Sequence, residues 1–276
     1  MENVNYIYFT DNKKKKKRKK RVWITLGIIL AVILVPVIAV CIIASKNVKA
    51  MNGCIDTVLQ ELQENYTVTP LDAGEYEEIK LYGIMKFKVD QYDIEDLGNL
   101  SVMRVNMGVM QMSSIVITPK DKNLPLFTAD YIYLLTNRKA YIEFYDLVKE
   151  KDDTYQQLLT KLSDIQKSYD YLDNLEVSPA WYEHLLTVAT YKACGMSADA
   201  DLEKMVSDNL TAYMQHDKTL PLLTEEEKQE KHTITVNYTD GLIANGGIST
   251  DVFKNALGAE ETKKFFDATF FGTGVN

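Results

Sequence analysis

Nine consecutive basic residues, Lys13 to Arg21, run directly into twenty-three residues without a charge, Val22 to Ala44. As a helix, 23 residues at about 1.5 Å each extend roughly 35 Å, enough to cross a hydrocarbon core of about 30 Å. Lys and Arg beside such a segment stay on the cytoplasmic side, and the opposite flank offers only Lys46 and Lys49 nearby. The order predicted is a basic cytoplasmic tail (1–21), one transmembrane helix (22–44), and an extracytoplasmic remainder at the plasma membrane. A cleaved signal peptide fits less well, because its apolar region is shorter and ends in a small-x-small site. Pro36 is tolerated inside a membrane helix as a kink.

The tail masks the charge of the rest. Taking its nine basic residues and Glu2 and Asp11 from totals of 31 and 39 leaves 22 basic and 37 acidic residues, a net charge of −15. Such a surface repels nucleic acid and anionic lipid heads, and the basic run beside the span is better matched to anionic lipid than to nucleic acid. His184, His216 and His232 are scattered, and Cys41, Cys54 and Cys194 have no metal-ligand spacing, so no metal site is expected. Pairing of Cys54 with Cys194 stays open.

Lys46–Tyr66 reads as a helix continuing from the membrane, with Val58, Leu59 and Leu62 on one face, in a juxtamembrane stalk (45–72) that docks onto the domain. The domain proper (73–276) opens with strands. Ile84–Val89 alternates apolar residues with lysine, Val102–Met112 alternates over a longer stretch, and Ser114–Thr118 is a further strand. Tyr131–Leu135 and Ala140–Leu147 flank a Thr136–Lys139 connection, a hairpin. Helical spacing then takes over in 152–173 and 198–215, and a polar helix begins at Glu225. The type of 180–194 is open. Thr233–Tyr238 suits a strand or an irregular arm, 241–247 a loop, and 250–257 with 259–270 a helix pair broken at Gly258. The fold class predicted is α+β: an antiparallel β-sheet sandwiched between α-helices (three-layer α/β/α), preceded by one transmembrane helix.

The chain has no phosphate-binding glycine loop, no Gly-x-Ser-x-Gly elbow and no Cys-x-x-Cys, and no cofactor is implied by motif. The acid that stands out is Asp130, directly after Leu124-Pro125-Leu126-Phe127-Thr128-Ala129. That segment, Pro179-Ala180-Trp181-Tyr182-Glu183, and the closing 254–271 with its glycine break and terminal Phe270-Phe271 agree in order and spacing with one family. Over 78–272 the chain resembles the ferredoxin-dependent bilin reductases, which reduce linear tetrapyrroles. The resemblance implies a sheet between helices, a linear tetrapyrrole (bilin) as ligand between sheet and C-terminal helices, and Asp130 as candidate proton donor. A carboxyl of raised pKa in an apolar site suits that role.

The chain departs from the family where members place a glutamate and a histidine on central strands. Asn106 falls at the first, and Ser114 or Ser113 at the second, and none of these titrates near neutrality. A domain outside the cytoplasm is also separated from ferredoxin, so the electron donor is unknown. Three functional readings follow: an extracytoplasmic domain that binds, and with a suitable donor reduces, a linear tetrapyrrole; a non-enzymatic cell-surface module that keeps the fold without the chemistry; or a membrane-tethered solute-binding domain of unknown ligand. Tyr131, Tyr133, Tyr141 and Tyr145 suit either stacking on a flat ligand or sheet packing, and Met103, Met107, Met110 and Met112 either a pocket lining or core.

Overall fold

A computed structural model of the chain describes residues 3–274, so Met1 and Glu2 of the basic tail lie outside the described residues. Helix α1, Asn3–Asn65, runs unbroken from the tail through the apolar segment and past Pro36. Among the described residues it is the one helix long and apolar enough to cross a membrane, with a mean hydropathy of 3.3 in its most apolar window and nothing packed on that window. Beyond Ala44 its character changes within a turn. Asn47, Met51, Cys54, Ile55, Val58 and Leu62 recur every three or four residues and are buried, so the same helix that emerges from the apolar segment becomes a core element.

Eight antiparallel strands form one sheet: β1 (Val68–Leu71), β2 (Glu78–Leu81), β3 (Met85–Ile94), β4 (Gly98–Asn106), β5 (Met110–Pro119), β6 (Leu126–Leu134), β7 (Asn137–Tyr145) and β8 (Leu186–Gly195). The order is β1-β3-β4-β5-β6-β7-β8, with β2 paired to β3 beside β1. Strands β3 to β7 therefore meander, each joined to the next by a short turn. One face carries Leu100, Ile115, Ile117, Phe127 and Phe144 and packs on α1, α2 (Asp153–Ser168) and α3 (Asp199–Asp217). The other carries Phe87, Val89, Met103, Val105 and Val116 and is covered from the C-terminal side by α4 (Glu225–Asn245), α5 (Ile248–Leu257), α6 (Ala259–Phe265) and a π-turn at Phe266–Phe270. This is the predicted three-layer sandwich. Each fully buried aliphatic such as Val58, Leu62 or Ile117 contributes about 1.5–3 kcal/mol.

Local expectations fail where tertiary partners override them. Thr233–Tyr238 is helix, not strand, and 241–245 is helix, not loop. Thr224 and Glu227 close a reciprocal capping box at the start of α4, and its Lys231, Thr235, Tyr238 and Leu242 form one buried stripe. The β-branched residues accommodate this: Thr233 and Thr235 donate their hydroxyls to the carbonyls of Gln229 and Lys231. Helix α2 stops at Ser168, short of Asp173, because the buried Lys192 ammonium donates to Leu172 O and Asn174 Oδ1 and folds that segment back toward β8. The β6–β7 turn is Leu135-Thr136, tighter than the connection expected, since Asn137 and Arg138 pair with Leu134 and Tyr133. The open segment 180–194 resolves into a short 3-10 turn at Glu183–Leu185 followed by β8.

Gly98 begins β4 at φ 144°, and a Cβ there would meet Thr118 O at 2.3 Å and Lys120 N at 2.7 Å. Both obstacles are backbone and cannot rotate away. Gly98→Ala is expected to cost at least about 2 kcal/mol, read as a lowered thermal midpoint. Cys54 and Cys194 are both free thiols. Cys54 lies 3.6 Å from the Tyr133 hydroxyl, and burial pushes its thiol up to about 12, so it is chemically inert in the fold.

Candidate functional site

Antiparallel partners directly opposite one another share a face of the sheet. The register therefore places Val89, Met103, Ser114, Asp130, Tyr141 and Tyr191 in one row across β3 to β8, on the face turned toward the C-terminal helices. Asp130 is the acid of this row. Pro125, at the turn before β6, is anchored by the Tyr213 hydroxyl, which donates to its carbonyl at 2.9 Å. Met103 in the row and Val116 beside it are buried, whereas Asp130, Tyr141, Tyr191, Ile132 and Met112 are half-buried.

The environment favours a protonated acid. Burial pushes the Asp130 carboxyl up to about 7, the Ser114 hydroxyl pulls against that, and the Glu143 carboxylate reinforces it. Glu143 lies diagonally across on β7, opposite Thr128. It accepts from the Tyr145 and Tyr191 hydroxyls at 2.7 Å each and from Thr128 Oγ1 at 3.3 Å. Three donors fix its geometry, while Asp130 has only the serine. The pair is thus one tethered acceptor beside one carboxyl poised to give up a proton near neutrality.

An aromatic wall bounds the acids. Trp181 and Tyr182 come from the segment before β8, Tyr145 from β7 and Tyr238 from α4. Tyr145 and Tyr238 centroids are 5.0 Å apart, Tyr145 and Tyr182 5.8 Å, and Trp181 and Tyr182 5.4 Å. Trp181 donates its indole N–H to Gly246 O at 2.8 Å. It lies so close over Gly241 that a Cβ there would be 2.3 Å from the ring, so the absence of a side chain at 241 seats the indole. Burial raises the Tyr182 and Tyr238 phenols, and the charges of Glu143 and Asp130 add to both. Tyr141 meets Tyr191 edge to face at 5.8 Å.

The residues singled out from sequence divide. Tyr141 and Tyr145 are on the Asp130 face; Tyr131 and Tyr133 point the other way, into the core beneath α1 and α3. Ser114 is the serine opposite Asp130, while Ser113 lies opposite Tyr131. Asn106 is outside the site: it pairs with Gln111 at the end of β4 and accepts from Gly108 N and Gln111 Nε2, so Ser114's neighbour on β4 is Met103. Directly beneath α5 and α6 the space is filled by Phe87, Phe253, Phe265, Phe266, Phe270 and Phe271. The two best-formed hollows among the described residues, about 610 Å³ along α2 and about 290 Å³ between the β5–β6 turn and α4, do not include Asp130. The acid lies on the β6–β8 part of the sheet, on the same face as Tyr141, Tyr145 and Tyr191. Among the described residues no cluster of His, Cys, Asp and Glu could hold a metal.

The meander and the layers on both sides are those of a bilin reductase-like α/β/α sandwich. Among solved structures, phytochromobilin synthase from tomato, in complex with biliverdin, superposes on this chain with a TM-score of 0.64 at 13% sequence identity, covering 80% of this chain and 84% of that chain. At that identity the likeness is one of fold. No family of known sequences matches the chain, and no curated protein matches it.

Proposed function

We propose that this chain is a membrane-anchored protein whose extracytoplasmic domain binds a linear tetrapyrrole against Asp130, with Tyr141, Tyr191 and the Trp181–Tyr182 wall supplying flat apolar contact. The observation that carries this reading is a half-buried carboxyl, its pKa raised by burial to about 7, on the same sheet face as several aromatic rings, in a fold like that of a protein solved with biliverdin. A protonated Asp130 donates a hydrogen bond to a lactam oxygen or an imine nitrogen of the ligand. On addition of an electron by an external donor, the reduced ligand becomes more basic and takes that proton, and Asp130 is reprotonated from solvent before the next step. The basic tail, by charge asymmetry, stays in the cytoplasm.

Titration of the full chain in detergent with biliverdin, followed by visible absorption, tests this. Saturable binding is expected, about tenfold weaker in Asp130→Asn. Affinity should also fall as pH rises through about 7 in the wild type and stay flat in the variant. Identical titrations for the two proteins would remove Asp130 from the site. One observation favours the second reading, a surface module without chemistry: phenylalanines fill the space between the sheet and α5 and α6. No absorption change with either protein would establish that reading.

A further inference from the structure

The meander sorts its turns into two ends. The β2–β3, β4–β5 and β6–β7 turns lie at the end where α1 joins the sheet. There Asn47, three residues past Ala44, donates to Leu135 O at 3.0 Å, and Leu135 N donates to Val109 O at 3.0 Å. The β3–β4 and β5–β6 turns lie at the other end. The two ends differ in chemistry. The far turns expose charge: Glu95 and Asp96 on one, Lys120 on the other. The near turns expose Tyr82 (59%), Ile84 (82%), Val109 (47%), Leu134 (45%) and Leu135 (40%).

Turn geometry does not demand these residues. Tyr82 and Leu135 sit in the left-handed region, at φ 51° and 50°, where Gly, Asn or Asp is favoured, and the equivalent strained position at the far end, at φ 62°, is filled by Asp96. Among the described non-glycine residues in the left-handed region, the bulky apolar ones, Tyr82 and Leu135, both lie at the end next to the apolar segment. Lys46, Lys49, Lys80, Lys86 and Lys139 are exposed near these tips, with Glu78 between Lys80 and Lys86, although the domain as a whole is acidic.

We propose that the three apolar tips are a membrane-docking surface: they insert into the headgroup–acyl boundary of the bilayer that α1 crosses, with the lysines against lipid phosphates. The proposal rests on residues 22–44 spanning a membrane, and it holds for either orientation of the chain.

The test is quenching of tryptophan fluorescence by phosphatidylcholine brominated near the headgroup end of its acyl chains, with the full chain in nanodiscs. Native Trp23, in the wild type, reports the span itself. In a Trp23→Phe background, Ile84→Trp and Val109→Trp report the tips and Leu222→Trp the far end, with Trp181 common to all. Quenching of both tip tryptophans about twofold or more beyond that of Leu222→Trp is expected. If Trp23 is quenched and the tips are not, docking is refuted while the span stands; if Trp23 is not quenched, the span reading fails. Tips protected from aqueous iodide but not quenched by brominated lipid would mean that they face a second copy, which also refutes the proposal.

Discussion

Asp130→Asn should melt above the wild type at pH 8 and together with it at pH 4. A carboxyl raised to about 7 in the folded chain and near 3.8 when unfolded keeps its proton on folding throughout that interval. The native state then binds more protons than the unfolded state, so wild-type stability declines as pH rises from about 4 to 7 and is level beyond. The full interval corresponds to about 4 kcal/mol at most. Because the residue is half-buried, part of this is lost to screening, and a difference on the order of 2 kcal/mol, or roughly 5 °C in melting temperature, is expected at pH 8. The amide cannot ionise and escapes this decline. A variant that is more stable and yet binds biliverdin more weakly would mark Asp130 as a residue kept at the expense of the fold. Coincident melting curves at pH 8 would show that the carboxyl is not raised.

Arg138→Ala is expected to cost about 3–5 kcal/mol, the largest single loss among side chains of β7. The guanidinium is fully buried and forks onto Asp199, with Nε at 2.6 Å from Oδ1 and Nη2 at 3.2 Å from Oδ2. It also donates to Leu135 O and Asn137 O and stacks 4.9 Å from the Tyr133 centroid. Asp199 sits in the first turn of α3, where a negative charge is favoured. One side chain thus ties the β6–β7 turn to α3 and supports Tyr133, which contacts Cys54 on α1. Chemical denaturation measures the loss, and the rate at which Cys54 reacts with a thiol reagent should rise in parallel. Arg138→Lys, which keeps the charge but not the fork, should recover less than half of the stability. Unchanged Cys54 reactivity in Arg138→Ala would disconnect this cluster from α1.

Much of the fold was legible because its signals are local. The alternation in Ile84–Val89, the helical spacing of Leu158 and Leu162 and the break at Gly258 each report one element's own periodicity. What was hidden depends on partners distant in sequence. Thr233–Tyr238 has the composition of a strand and becomes helix because a capping box nine residues earlier and a buried stripe outweigh weak propensity. At the site, Asp130 was visible as an acid set after an apolar turn. Its neighbours were not, since the row linking Met103, Ser114, Asp130, Tyr141 and Tyr191 exists only once register is fixed. Glu143 had a signal: in Tyr141-Ile142-Glu143-Phe144-Tyr145 the acid shares a face with both tyrosines, and with Asp130 once β7 is paired to β6. Tyr238, on α4, had none, because its segment was of the wrong type.

Helix α1 passes from the basic tail to Leu62 without a hinge. A flexible tether would let the sandwich tumble and present any side to its surroundings. Here the sheet is bolted to a single rod, so its azimuth and inclination are those of the rod, and the row containing Asp130 keeps a constant bearing.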